Sequence, residues 1–303
     1  MSRTPRLARG IIDPVTGALL ASGDRSVVWW APDGTRLDVT PDHAWQDADA
    51  ADGAIVLAGA GWLTWRGDGE PITVEAEEVS RVAVVGGMVA AASVDGEVLV
   101  WPDIEAAQVA ERTRVPFEPE DLVCDAAGRR VIVAGWFDDD AAAMTVFDVR
   151  GDGLVEVVPS TPWPAPAAGV TRPLDDGMLG IATTEGVVLV ALDGAVCTAV
   201  PVPGIERLTG RGSDVAWIRV SGERERPVIG TARVVGGDLV PGVELGMPGR
   251  DRFPHLAVTP AGLTVVAGAG PAALDVYRLT AEERGRAAWS TPARHDLPLR
   301  PGR

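Results

Sequence analysis

One unit recurs along this chain and limits its fold more than any other feature: a turn with Asp or Gly, a strand of small residues, a tight turn, then an apolar strand. It is clearest in DPVTGALLASGDRSVVWWAPDG at 13–34, ADGAIVLAGAGWLTWRGDGEP at 51–71, GGMVAAASVDGEVLVWPD at 86–103 and AAGRRVIVAGWFDDDAAAMTVFDVRGDG at 126–153. Weaker copies follow at 175–194, 212–238 and 260–283. A large ring marks the third strand at Trp30, Trp65, Trp101, Phe147 and Tyr277, a spacing of about 41 residues per unit. The tetrapeptide Arg-Gly-Asp-Gly occurs at 66–69 and 150–153, two periods apart. Seven units fit the 303 residues, whereas six would each need about 50.

Runs such as EVLVW, MTVFDV and LDVYRL are short, Val-rich and bounded by Gly or Asp-Gly turns, which predicts strands. Thirty-six Gly and 24 Pro supply the many turns this needs. The prediction is an all-β chain, a single β-propeller of seven four-stranded blades at 6–41, 42–79, 80–115, 116–160, 161–203, 204–246 and 247–303. A two-sheet sandwich is the alternative, but sandwich strands recur without a fixed long period. The first inner strand starts near Arg6, leaving little chain upstream, so the last blade is expected to take its outer strand from residues after Arg284.

The units LLASGDRSVVWW at 19–30, AAASVDGEVLVW at 90–101 and AGRRVIVAG…MTVFDV at 127–149 resemble the WD40-like and YVTN-like propeller superfamily across nearly the whole chain. The Gly-His pair of true WD40 repeats is missing. Their Trp-Asp pair reads Trp30-Ala31, Trp65-Arg66 and Trp101-Pro102, with Phe147-Asp148 close to it. The resemblance implies a closed ring with loops available for partners.

A net charge of −16 should repel phosphate backbones, which argues against a nucleic-acid partner. All 27 basic residues are Arg and the chain has neither Lys nor Asn, as a GC-rich genome would encode. No apolar stretch is long enough to span a bilayer, and Asp13 and Pro14 break the only candidate signal core, so we expect a cytoplasmic protein without a membrane partner. Cys124 and Cys197 lack the short spacing of a metal site or a disulfide framework.

The motifs that suggest chemistry have simpler readings. Gly268, Gly270 and Ala273 resemble a nucleotide-binding turn, but too little chain follows for a βαβ sheet, and the segment keeps blade register as a hairpin. Asp47, Asp49 and Asp52-Gly53 depart from calcium-loop spacing by one residue, so a solvated inter-strand loop is expected there. Asp138, Asp139 and Asp140 form an exposed run, and Arg66-Gly67-Asp68 a repeat turn. His43, His255 and His295 fall in different units without a nucleophile elbow. No cofactor, metal or catalytic residue is therefore assigned.

Two functions stay open. A non-catalytic protein-interaction platform is preferred, because no reaction centre emerges. The alternative is a lactonase- or lyase-like propeller enzyme acting on a small molecule in the axial channel, which would need three or more Asp, Glu or His converging at one channel mouth. Trp136, Phe137 and Trp163 flank breaks in the pattern and are expected in loops. Loops joining second to third strands, and one blade to the next, share a face of a propeller. Trp136, Phe137, Asp138, Trp163, Arg224 and Phe253 are thus expected on one rim, facing a protein partner with a basic, partly apolar surface.

Overall fold

In a computed structural model the chain forms 29 strands and no helix among the described residues. These are 9–297 without 23–25, 42–44, 107–108, 126, 128, 138–141, 152, 164–166, 171–173, 175–176, 184, 192–195, 221–226, 248–253, 271 and 282–286. The strands pair antiparallel into seven sheets, each from consecutive segments, making a seven-bladed β-propeller.

Blade 1 holds β1 (Arg9–Ile12), β2 (Leu19–Ser22), β3 (Val27–Trp30) and β4 (Arg36–Asp38); blade 2 holds β5 (Trp45–Ala51), β6 (Ala54–Gly59), β7 (Gly61–Arg66) and β8 (Ile72–Ala76). Blade 3 follows with β9 (Val79–Val85), β10 (Met88–Ser93), β11 (Glu97–Trp101) and β12 (Glu111–Arg114). Blade 4 consists of β13 (Glu118–Asp125), β14 (Arg130–Trp136), β15 (Ala142–Arg150) and β16 (Gly153–Trp163). Blade 5 consists of β17 (Ala167–Val170), β18 (Met178–Thr183), β19 (Gly186–Ala191) and β20 (Val196–Pro201). Blade 6 is β21 (Ile205–Arg211), β22 (Asp214–Arg219), β23 (Val228–Val235) and β24 (Asp238–Gly246). Blade 7 is β25 (His255–Thr259), β26 (Gly262–Gly270) and β27 (Ala273–Ala281), with β28 (Ala287–Trp289) and β29 (Ala293–Asp296) pairing successive parts of β27.

The outer strand of blade 7 therefore comes from the chain after Arg284, as expected, and blade 1 is made wholly from the N-terminal side. Among the described residues, no strand is exchanged across the closure. Turn chemistry follows the sequence: Asp52-Gly53, with φ of 55° and 77°, forms a two-residue hairpin closed by the Ala51–Ala54 pair. The Gly268–Gly270 segment is the β26–β27 hairpin, with Gly270 opposite Ala273.

Each strand alternates its side chains between two neighbouring blades, so neither face of a blade is left to water. The result is seven apolar clusters, one for each interface between adjacent blades around the ring. Trp101, 1% exposed, packs between blades 2 and 3, and Phe147 between blades 3 and 4. Trp30 lies against the blade 7–1 cluster and Tyr277 against the blade 6–7 cluster. These four rings face the preceding blade. Trp65 breaks the rule: it faces the following blade, and its indole N–H donates to the Gly86 carbonyl at 2.9 Å. The ring sits one residue out of register with the others, and in a strand one residue changes the face.

Candidate interaction face

Antiparallel strands return the chain to the same side at every second turn. The loops from second to third strands and the connections between blades thus emerge together on one face. On that face, between blades 2 and 3, lies a cleft of about 590 Å³. Gln46 of β5, Ala60 and Gly61 of the β6–β7 turn, Glu77 and Glu78 of the β8–β9 connection, Val79 and Ser80 of β9, and Val94 of the β10–β11 turn line it. Val94 is 52% exposed and is the exposed large aliphatic side chain that lines the cleft. Glu77 and Glu78 are exposed, and Glu78 takes the left-handed backbone conformation, φ 52°.

The sector beside the cleft is acidic. Asp95, Glu118 and Glu120 are exposed, and the two arginines among them are already engaged. Arg81 donates from Nε to the Glu120 carbonyl at 2.7 Å and pairs with its carboxylate, while Arg114 donates to the Asp95 carbonyl from Nε at 3.2 Å. Negative charge is left in excess, and solvent screens it only over about a Debye length of 8–10 Å.

Two residues expected in loops are instead the last residues of strands. Trp136 closes β14 and Trp163 closes β16, and both pair with Ala142 of the strand between them. The β14–β15–β16 ladder extends further than the sequence breaks suggested because paired backbone outweighs the local turn signal. Phe137, just after β14, is half-buried on the blade 3–4 cluster, edge-on to Phe117 at 5.7 Å. Asp138, Arg224 and Phe253 lie outside the described residues, as do His43, Asp139 and Asp140. Val94, Glu77 and Glu78 were missed by the sequence reading. Their signal was faint: an apolar residue inside a Ser-Val-Asp-Gly turn and a Glu-Ala-Glu-Glu run between two strands.

Toward the axis, the expected Asp loop is a strand. Asp47 and Asp49 belong to β5, the inner strand of blade 2, and neither is in a solvated loop. The Asp47 carboxylate accepts the Val82 N–H and that of Asp49 the Val84 N–H, each at 2.9 Å, so both tie β5 to β9 of the next blade. Burial pushes the Asp47 carboxyl up to about 6, against the opposing pull of the Val82 N–H and Arg81. Asp13, fully buried, accepts from Asp52 N at 3.1 Å and Gly53 N at 2.8 Å across the blade 1–2 interface. His255 on β25 accepts the Ile12 N–H on Nδ1 at 3.3 Å, and His295 on β29 lies edge-on to Trp30 at 5.3 Å. Cys124 is buried and reduced, its thiol 3.6 Å from the Ala83 carbonyl. Among the described residues, no three His, Cys, Asp or Glu converge as a metal site would require.

No protein-family model matches the chain, and no curated protein does. Solved structures do. A chain of a mitotic checkpoint complex superposes with a TM-score of 0.66 at 12% identity over 88% of this chain and 89% of that one. Hsv2 of Kluyvelomyces marxianus superposes with 0.51 at 12% identity over 85% of this chain and all of that one. A puromycin hydrolase aligns with 99% of this chain but 55% of its own length, with a TM-score of 0.60 at 18% identity. Identities this low speak for the fold alone, and on fold the chain is a seven-bladed β-propeller.

Proposed function

We propose that the protein is a cytoplasmic, non-catalytic interaction platform that docks a protein partner with a basic, partly apolar surface on the face bearing the blade 2–3 cleft. The observation that carries this reading is the cleft itself: an exposed aliphatic side chain, Val94, beside the uncompensated carboxylates of Glu77 and Glu78. An apolar contact that loses its water on binding supplies affinity, and the surrounding charge orients the partner and speeds its arrival. Connectivity supports extending the surface along the rim, because Trp136 and Trp163 end strands that run toward this face. Phe137 follows β14 toward the same face, while Asp138, Arg224 and Phe253, which lie outside the described residues, are assigned to the surface from the sequence alone. That a propeller of this architecture occurs in a mitotic checkpoint complex agrees with a role in assemblies.

The test is affinity capture followed by cross-linking mass spectrometry on three forms: the wild type, Glu77→Arg with Glu78→Arg, and Trp136→Ala with Trp163→Ala. Partners of the wild type should cross-link near blades 2 to 4, weaken as salt is raised, and be lost from the charge-reversed form while circular dichroism stays unchanged. Capture that survives both double substitutions, or cross-links confined to the opposite face, would overturn the assignment.

A further inference from the structure

The ring closes where blade 7 meets blade 1, and this interface differs from the other six in one topological respect. Adjacent blades elsewhere are joined by consecutive chain, whereas the last and first blades are not, and among the described residues they exchange no strand. Among those residues, side-chain contacts hold this seam. Ile12, Leu19, Ala21 and Val28 of blade 1 pack on Ala257, Val266, Leu274 and Leu297 of blade 7. Gly10 fits so closely that a Cβ there would lie 2.6 Å from Val266. Two histidines also sit on it: His295 edge-on to Trp30, and His255 holding the Ile12 N–H.

The His255 contact fixes a protonation state. Nδ1 accepts, so it must carry a lone pair, and the ring is neutral with its proton on Nε2. A protonated ring would set two donors against each other.

We propose that the blade 7–blade 1 seam is a proton-operated closure, in which protonation of His255 removes the acceptor for the Ile12 N–H and opens the ring at this interface ahead of the rest of the fold.

The surroundings favour the neutral ring. Arg207 of β21 is the charge that bears on it, and burial together with that charge pushes the imidazole down to about 3. The charged residues of β22 are paired, Arg219 with Glu244 at 3.0 Å and Asp214 with Arg233 at 3.0 Å. Leu263 to Ala267 of β26 and Gly10 to Ile12 of β1 bring no charged side chain. Asp13, next after Ile12, is occupied by donors from its own turn and from Asp52 and Gly53. Among the described residues, no carboxylate acts on the His255 ring to compensate a positive charge in the closed state. Once the seam opens, the imidazole meets water and returns toward its ordinary value of about 6.5. Opening then takes up one proton, and the open population rises about tenfold for each pH unit below 6.5. His295 works in the same direction: burial also holds it below its ordinary value, with Asp296 opposing. Its partner Trp30 already carries the Arg36 guanidinium at 5.9 Å from the ring centre, leaving a second cation poorly placed.

The experiment is native-state hydrogen exchange by mass spectrometry at pH 7 and pH 5, corrected for the intrinsic pH dependence of exchange. Protection in β1 and β25 should fall about 30-fold more than protection in β10 and β14. In His255→Asn, whose amide oxygen can replace Nδ1 as acceptor but does not titrate, that difference should shrink to the smaller part that His295 supplies, and in His255→Asn with His295→Asn it should disappear. A uniform response in all blades, a seam insensitive to pH, or an unchanged pH response in His255→Asn would each refute the closure. If His255→Asn does not fold, the wild-type comparison between blades still decides. An NMR titration of the wild-type ring adds a second criterion: a His255 signal that titrates near 6.5 while β1 stays protected would also refute it.

Discussion

Replacing Asp13 by Ala should destabilise the protein more than any single truncation of an apolar side chain on the rim. The Asp13 side chain is fully buried, and its carboxylate gathers five donors: Val15 N at 2.7 Å, Thr16 N at 3.1 Å, Thr16 Oγ1 at 2.6 Å, Asp52 N at 3.1 Å and Gly53 N at 2.8 Å. The first three fold the β1–β2 turn. The last two come from the β5–β6 hairpin and tie blade 1 to blade 2. Alanine leaves four backbone N–H groups without their acceptor, at about 1–3 kcal/mol for each that water cannot reach. Since the donors lie in half-exposed turns and some will be hydrated, the expected loss is about 3–5 kcal/mol. Asp13→Asn keeps one acceptor oxygen but points an NH₂ at donors, and should cost about half as much. Urea unfolding followed by tryptophan fluorescence measures both, and hydrogen exchange at Asp52 and Gly53 shows whether the loss is centred on the blade 1–2 contact. A loss below about 1 kcal/mol for Asp13→Ala, the range of an ordinary surface site, would refute the reasoning.

Trp101→Ala should cost about 3–5 kcal/mol by urea unfolding, because a ring 1% exposed between two blades leaves a cavity that the sheets cannot collapse to fill. Gly230→Ala should be strongly destabilising in thermal melts, since the added Cβ would lie 2.3 Å from the Trp217 indole. Trp217→Phe should be close to neutral in the same assay, because the buried indole N–H it removes has no hydrogen-bond partner among the described residues. Asp47 offers a pH test with a definite sign. Its folded value, raised to about 6 above the ordinary 3.8, means the native state takes up protons first, so this residue adds stability as pH falls from 6 toward 4. His255, lowered to about 3, acts oppositely between 6.5 and 3, and Asp47→Asn, which removes the gain from Asp47 protonation, should make stability fall more steeply from pH 6 to pH 4 than in the wild type, by urea titration.

The repeat was legible because period, turn residues and strand composition all agree, and the structure keeps that agreement in strands such as Val98 to Trp101 and Val131 to Ala134. What escaped the sequence was face and partner. Trp65 falls at the expected spacing, yet it pairs with the third residue of β6 where Trp101 pairs with the second of β10, and this one-residue offset, which composition does not reveal, turns it to the other neighbour. Asp47 and Asp49 read as a loop because Asp is unfavourable in strands. Their place in β5 becomes intelligible only once β9 is alongside, offering N–H groups that lie 35 residues further along the chain. The cleft was hidden for the same reason: its lining comes from both blades 2 and 3, from Gln46 to Val94, and only the packing of one blade on the next brings those segments together.

The carboxylates and the imidazole next to the axis share one task. Asp13, Asp47, Asp49 and His255 each accept a backbone N–H from the adjacent blade, so the inner ring is stitched by side chains where neighbouring inner strands do not pair with each other. Backbone donors buried near an axis must find acceptors, and in a propeller the inner strand has a partner on its outer side only. Side chains of the neighbouring blade fill that need. An acid engaged in this way is held in place by the fold and is poorly free to bind a ligand or move a proton during turnover. Exposed carboxylates in the blade 2–4 sector lie outside this ring and on both faces: Glu77, Glu78, Asp95 and Glu118 where the blade connections emerge, and Asp68, Glu70, Asp103 and Glu105 in the turns between third and fourth strands. The inner ring takes the acids that tie blade to blade, and of the exposed acids those beside the cleft are the ones placed next to an exposed apolar side chain.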